Sequence, residues 1–224
     1  MFKFFTIVLI LLSALHVYAS EIKPILNNQA FEGFKIGDKK TISDIKLTGY
    51  EYAAKNSEQI IFDDCTQAVM YGESKVQEYE IFRLRLLTTT CQALDKYLSA
   101  NSSNMTFFPE KFEVSLIDHF PAKTMPLLYR AQGRHRGDKT IKQYYSSFKA
   151  NIEKNGSIKF LSEEDEIYYT LMARGDFTND GVEDLLVKSE WFARKARGKH
   201  VDLLILTRAG KNQPINIHWR LMKF

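Results

Sequence analysis

The residues best placed to do chemistry are Asp176, Thr178, Asp180 and Asp184, which put oxygen-bearing side chains at alternate positions and then four residues on. Gly181 follows the third of them. A tight loop with this spacing can turn three carboxylates and a hydroxyl inward onto one hard cation. Calcium suits such a set because it accepts six to eight oxygens in a tolerant geometry. The plain alternative is a turn, since Asp, Asn and Gly are also the residues that make good turns.

An EF-hand is excluded by register. That loop needs a bidentate glutamate at its twelfth position and helices on both sides. Counting from Asp176, the twelfth residue is Val187, and both flanks alternate with a period of two. The stretch Gly175-Asp176-Phe177-Thr178-Asn179-Asp180-Gly181-Val182-Glu183-Asp184-Leu185-Leu186-Val187 instead resembles the calcium loop of FG-GAP and VCBS repeats. The resemblance implies side-chain ligands from Asp176, Thr178, Asp180 and Asp184, and a backbone carbonyl from Val182. Thr178 stands where those families favour aspartate or asparagine, which implies a weak site. The motif occurs once, with no repeat period, so a propeller is not expected. More loosely, the C-terminal half resembles small exported bacterial proteins that end in one such loop and a strand meander.

Other chemistry is sparse. His119, beside Asp118, has the makings of a base oriented by an acid, though a structural histidine is the commoner reading. Glu163-Glu164-Asp165-Glu166 offers carboxylates for a pair, but four acids between strands usually form a solvated turn. Nucleophile-elbow, zincin, phosphate-loop and dinucleotide signatures are all lacking. Arg-Gly-Asp occurs at 136–138 and 174–176, too short a motif to carry an adhesion reading.

Cys65 and Cys91 are the only cysteines. Met1-Phe2-Lys3, an apolar run to Leu15 and Val17-Tyr18-Ala19 read as a signal peptide spanning 1–19, cleaved after Ala19. That run is too short to cross a bilayer, and no later stretch is apolar enough to do so. An exported chain with two cysteines is expected to pair them. Loss of Lys3 with the leader lowers the formal charge from +4 to +3, a balance that does not imply nucleic acid. Arg194, Lys195, Arg197 and Lys199 form a basic loop that, with a basic connector over 130–142, can face an acidic protein or an anionic envelope component.

The elements positioning the acidic loop follow from periodicity. Leu84, Leu87, Cys91, Leu94 and Leu98 recur at helical spacing, and their apolar face brings Cys91 toward Cys65. Alternation from Tyr79 to Leu86 leaves a strand leading into that helix open. After it, Pro109, Pro121 and Pro126 permit only short helices. Asn155-Gly156 marks a two-residue hairpin between 148–154 and 157–161. Alternating runs over 167–174, 185–192, 201–207 and 215–221 complete about six strands. The expected class is α+β: a mostly helical part over 20–138, packed on an antiparallel β-meander over 139–224, the two together forming one domain or two. The expected function is an exported, calcium-stabilised, non-enzymatic binding protein of inhibitor or immunity type. The alternative is an envelope-directed hydrolase.

Overall fold

A computed structural model describes residues 21–38, 40–56, 58–125 and 136–222. The signal-peptide reading over 1–19 and the connector residues Arg130, Arg134 and His135 fall outside the described residues. The fold is α+β.

The C-terminal half builds six strands: β6 (Lys149–Ile152), β7 (Ile158–Leu161), β8 (Asp165–Gly175), β9 (Asp184–Ala193), β10 (Lys199–Thr207) and β11 (Asn216–Arg220). Each pairs antiparallel with the next, so sheet order follows chain order. The first half adds β1 (Ile25–Leu26) beside the far end of β8, pairing Ile25 with Arg174 and Leu26 with Ala173. Further short strands pair on their own: β2 (Phe34–Lys35) with β3 (Lys46–Leu47), and β4 (Glu51–Ala53) with β5 (Gln59–Ile61). Its helices are α1 (Cys65–Met70), α2 (Ile81–Leu98) and α3 (Val114–Ile117), and α4 (Ile141–Tyr144) follows just before β6. The region from Tyr79 is a 3-10 turn running directly into α2, not a strand.

The Asn155-Gly156 turn differs in type from expectation. A two-residue type I′ turn needs both central residues at positive φ. Here only Gly156 is left-handed, at φ 77°, and its N–H donates to Glu153 at 2.9 Å. The Asn155 side chain accepts from the Ser157 N–H at 3.1 Å, which favours a turn closed by a glycine bulge.

Two apolar clusters cover opposite faces of the sheet. On one side Leu84, Leu87, Cys91 and Leu94 of α2 pack with Met172, Leu186, Leu203 and Ile205. Burying each leucine contributes about 1.5–3 kcal/mol. On the other, Leu116, Ile117, Phe120 and Ile141 pack with Ile167, Tyr169, Val187 and Leu204. Because β10 is covered on both faces, its run Leu203-Leu204-Ile205-Leu206 is continuously buried rather than alternating. Cys65 and Cys91 are both fully buried and disulfide-bonded, tying α1 to α2 beneath this core.

Candidate functional site

β8 ends at Gly175 and β9 begins at Asp184, directly opposite each other in the ladder, so residues 176–183 form the loop between them. Two left-handed residues, Asn179 at φ 62° and Gly181 at φ 81°, close it. Asp176 is buried and organises the turn from within. Its Oδ1 accepts from the N–H groups of Thr178 and Asp180, both at 3.2 Å, and its Oδ2 from Gly181 at 2.8 Å. Thr178 is half-buried, with its hydroxyl 3.4 Å from Asp176 Oδ1. Asp180 is exposed and accepts from the Val182 N–H at 2.8 Å.

Asp184 is fully buried. Its Oδ2 accepts from the Phe177 N–H at 3.0 Å, while its Oδ1 has no hydrogen-bond partner. Burial pushes this carboxyl up to about 7, opposed by the Phe177 amide and the Thr178 hydroxyl and reinforced by the charges of Asp180 and Asp176. A buried, donorless carboxylate oxygen is costly unless a proton or a cation satisfies it. The expected ligand residues lie on this one loop, in which Asp176 and Asp180 turn oxygens to loop amides and only Asp184 keeps a buried oxygen without a partner. Among the described residues, however, no three His, Cys, Asp or Glu side chains converge into a ready-made metal cage. Any cation held here depends on the hydroxyl and backbone oxygens of the loop as well as on its acids.

The loop is anchored from outside by the segment 101–106, which carries no periodic pattern of its own. Asn101 and Asp176 exchange both backbone hydrogen bonds at 3.0 Å, and the Asn101 side-chain amide donates to Asn179. Asn104 N–H reaches Gly181 at 2.8 Å, and Glu183 N–H reaches Met105 at 2.9 Å. Glu183, given no role from sequence, forms a buried ion pair with Arg174 at 2.6 Å and accepts from the Thr106 hydroxyl at 2.7 Å. Arg174 also donates to the carbonyls of Pro109 and Glu110. The only available signal was an arginine just before the loop, on β8, and a glutamate at the loop's last position. Arg174 and Asp176 of the second Arg-Gly-Asp are thus inaccessible, and Arg136 of the first is buried too.

The hydrolase candidates are dispersed. His119 is exposed just beyond α3, while Asp118 pairs with Lys142 at 2.7 Å. Glu163 pairs with Lys195. Glu166 pairs with Lys159 at 2.7 Å, and hydrogen bonds from Lys159 and the Tyr168 hydroxyl hold its carboxyl below the usual range. A glutamate so held is a poor general acid.

The basic loop is divided. Arg194 donates to the Ser162 carbonyl at 2.7 Å and Lys195 reaches Glu163, which pins one side to the β7–β8 turn. Arg197 and Lys199 lie on the other side, along a cavity of about 970 Å³ floored by Phe82 and Phe192. No protein-family model, curated protein or solved structure matches the chain.

Proposed function

We propose that the chain is an exported binding protein of inhibitor or immunity type, with its sheet stabilised by calcium at the 176–184 loop. The observation that carries the calcium reading is the buried Oδ1 of Asp184, an acidic oxygen left without a donor. Asp176, Thr178, Asp180 and Asp184 would hold the ion through side chains and Val182 through its carbonyl, as in the FG-GAP and VCBS loops that the stretch resembles. The ion would supply charge neutralisation, removing repulsion among three acids on one turn.

Export is supported by the leader-like residues 1–19 and by the buried Cys65–Cys91 disulfide, a bond that persists in oxidising compartments. Among the described residues no helix is long and apolar enough to cross a membrane. Binding rather than hydrolysis is favoured because Glu166 and Asp118 are committed to lysines while the Phe82–Phe192 cavity stands open.

Calorimetric titration tests this reading. Calcium should bind with a dissociation constant on the order of 0.1–1 mM, the range of extracellular modules. The absence of heat at millimolar calcium would reject the site. Calcium-dependent hydrolysis of envelope material would replace the binding protein with the enzyme.

A further inference from the structure

The cavity between the start of α2 and the ends of β9 and β10 has the composition of a protein-docking site. Phe82 and Phe192 meet edge to face at 5.5 Å, and Tyr79 stands 75% exposed at the rim. Arg197 and Lys199, with Glu78 and the Glu73-paired Arg85, complete its wall, Lys199 Nζ lying 5.6 Å over the Phe82 ring centre. Aromatic residues and arginine around a partly desolvated pocket are the usual anchors of interfaces.

The wall is held in place. A Cβ at Gly198 would lie 2.8 Å from the Trp191 ring, so the chain passes flat against that indole. Ala193 N–H bonds the Gly198 carbonyl at 2.9 Å, and Arg194 N–H bonds Glu164 at 2.9 Å. With Arg194 and Lys195 engaged elsewhere, Arg197 and Lys199 have no carboxylate partner among the described residues. The backbone that carries these two side chains is thus fixed before binding.

We propose that this cavity docks a segment of a partner protein in which acidic residues flank an aromatic or aliphatic side chain. Arg197 and Lys199 outnumber Glu78, the one acid of the lining, and so demand negative charge, while Phe82 and Phe192 demand an apolar group between those charges. A phosphate-bearing polymer would satisfy the first and leave the second wet. The proposal rests on the binding-protein reading and names the chemistry of its partner.

The test is affinity selection of short random peptides displayed on phage, against the intact mature protein and against the variant carrying Arg197→Glu and Lys199→Glu. Both positions are exposed, so the fold should be unaffected, and matching melting curves check this. Peptides with acids around a Phe, Trp, Leu or Ile should enrich on the wild type. They should lose at least about tenfold in affinity on the charge-reversed variant and weaken with salt. Phe82→Ala should weaken the same peptides, while inorganic polyphosphate should bind without responding to Phe82→Ala. Peptides that bind both proteins equally would overturn the docking site yet leave a binding protein. Enrichment of no sequence on either protein would count against both readings. Polyphosphate that outcompetes every peptide and depends on Phe82 would make the cavity a polyanion site instead.

Discussion

The Phe177 N–H donates to Asp184 Oδ2 at 3.0 Å, while the other oxygen of the same buried carboxylate meets no donor. One side of Asp184 is thus structurally satisfied and the other is not. That asymmetry distinguishes the loop from an ordinary turn, in which each buried acidic oxygen caps a backbone amide, as both oxygens of Asp176 do.

Asp184→Asn separates the two sides. The amide oxygen can still accept from Phe177, while the negative charge is lost. The variant should fold and should show no calcium-dependent rise in melting temperature, read by calorimetry with and without a chelator. A calcium response equal to wild type would place the ion elsewhere.

The Arg174–Glu183 pair is buried and holds the 106–110 segment to the sheet. Removing one partner of a buried pair strands the other charge and typically costs about 3–5 kcal/mol. Glu183→Ala should lower stability by that order in urea unfolding. Replacing both residues by apolar ones of similar volume should recover much of the loss, and a double-mutant cycle measures the coupling.

Reducing the disulfide should destabilise the protein without erasing its sheet. Cys65 and Cys91 are separated by 26 residues, and closing such a loop contributes roughly 3.5 kcal/mol on the chain-entropy view. Cys65→Ala with Cys91→Ala should lower the urea midpoint accordingly while leaving the β-sheet signature in circular dichroism. Loss of that signature would show that the sheet depends on α1 and α2 being tied.

His200 gives a pH dependence of definite sign. Burial depresses its imidazole below the ordinary 6.5, opposed by the Asp202 charge. The unfolded chain therefore takes up this proton first on acidification. The contribution of His200 to stability is complete above pH 6.5 and is lost as pH falls through the depressed folded value. His200→Gln should flatten the stability profile between pH 7 and 5; an unchanged slope would assign the acid sensitivity to other groups.

Much of the sheet was legible from residues 148–221, because alternation marks a strand with one dry face. It missed the two-sided burial of Leu204 and Leu206, since a helical layer on each face leaves no polar row to read. Strands as short as Ile25–Leu26 carry no period, and this one is set by the bulge at Met172, where Asn27 bonds the Leu171 and Met172 carbonyls. The acidic loop was legible from its spacing because every member lies within nine residues of Asp176. Its anchors at Asn101, Asn104 and Thr106 were not, being about 75 residues away and brought to it by the packing of α2 on the sheet and the bridge from Ser103 to Ile22. Composition alone could not show that Arg194 and Lys195 were committed while Arg197 and Lys199 remained available.

Thermal unfolding with added calcium decides whether the ion stabilises the sheet. At tenfold excess over the dissociation constant, mass action predicts a gain of about 1.4 kcal/mol, a rise of a few degrees for a chain of this length. Asp180→Ala, an exposed substitution, should abolish the rise while leaving the calcium-free melting temperature near that of wild type. A wild-type melting temperature indifferent to millimolar calcium, or an Asp180→Ala protein that still responds fully, would contradict the account.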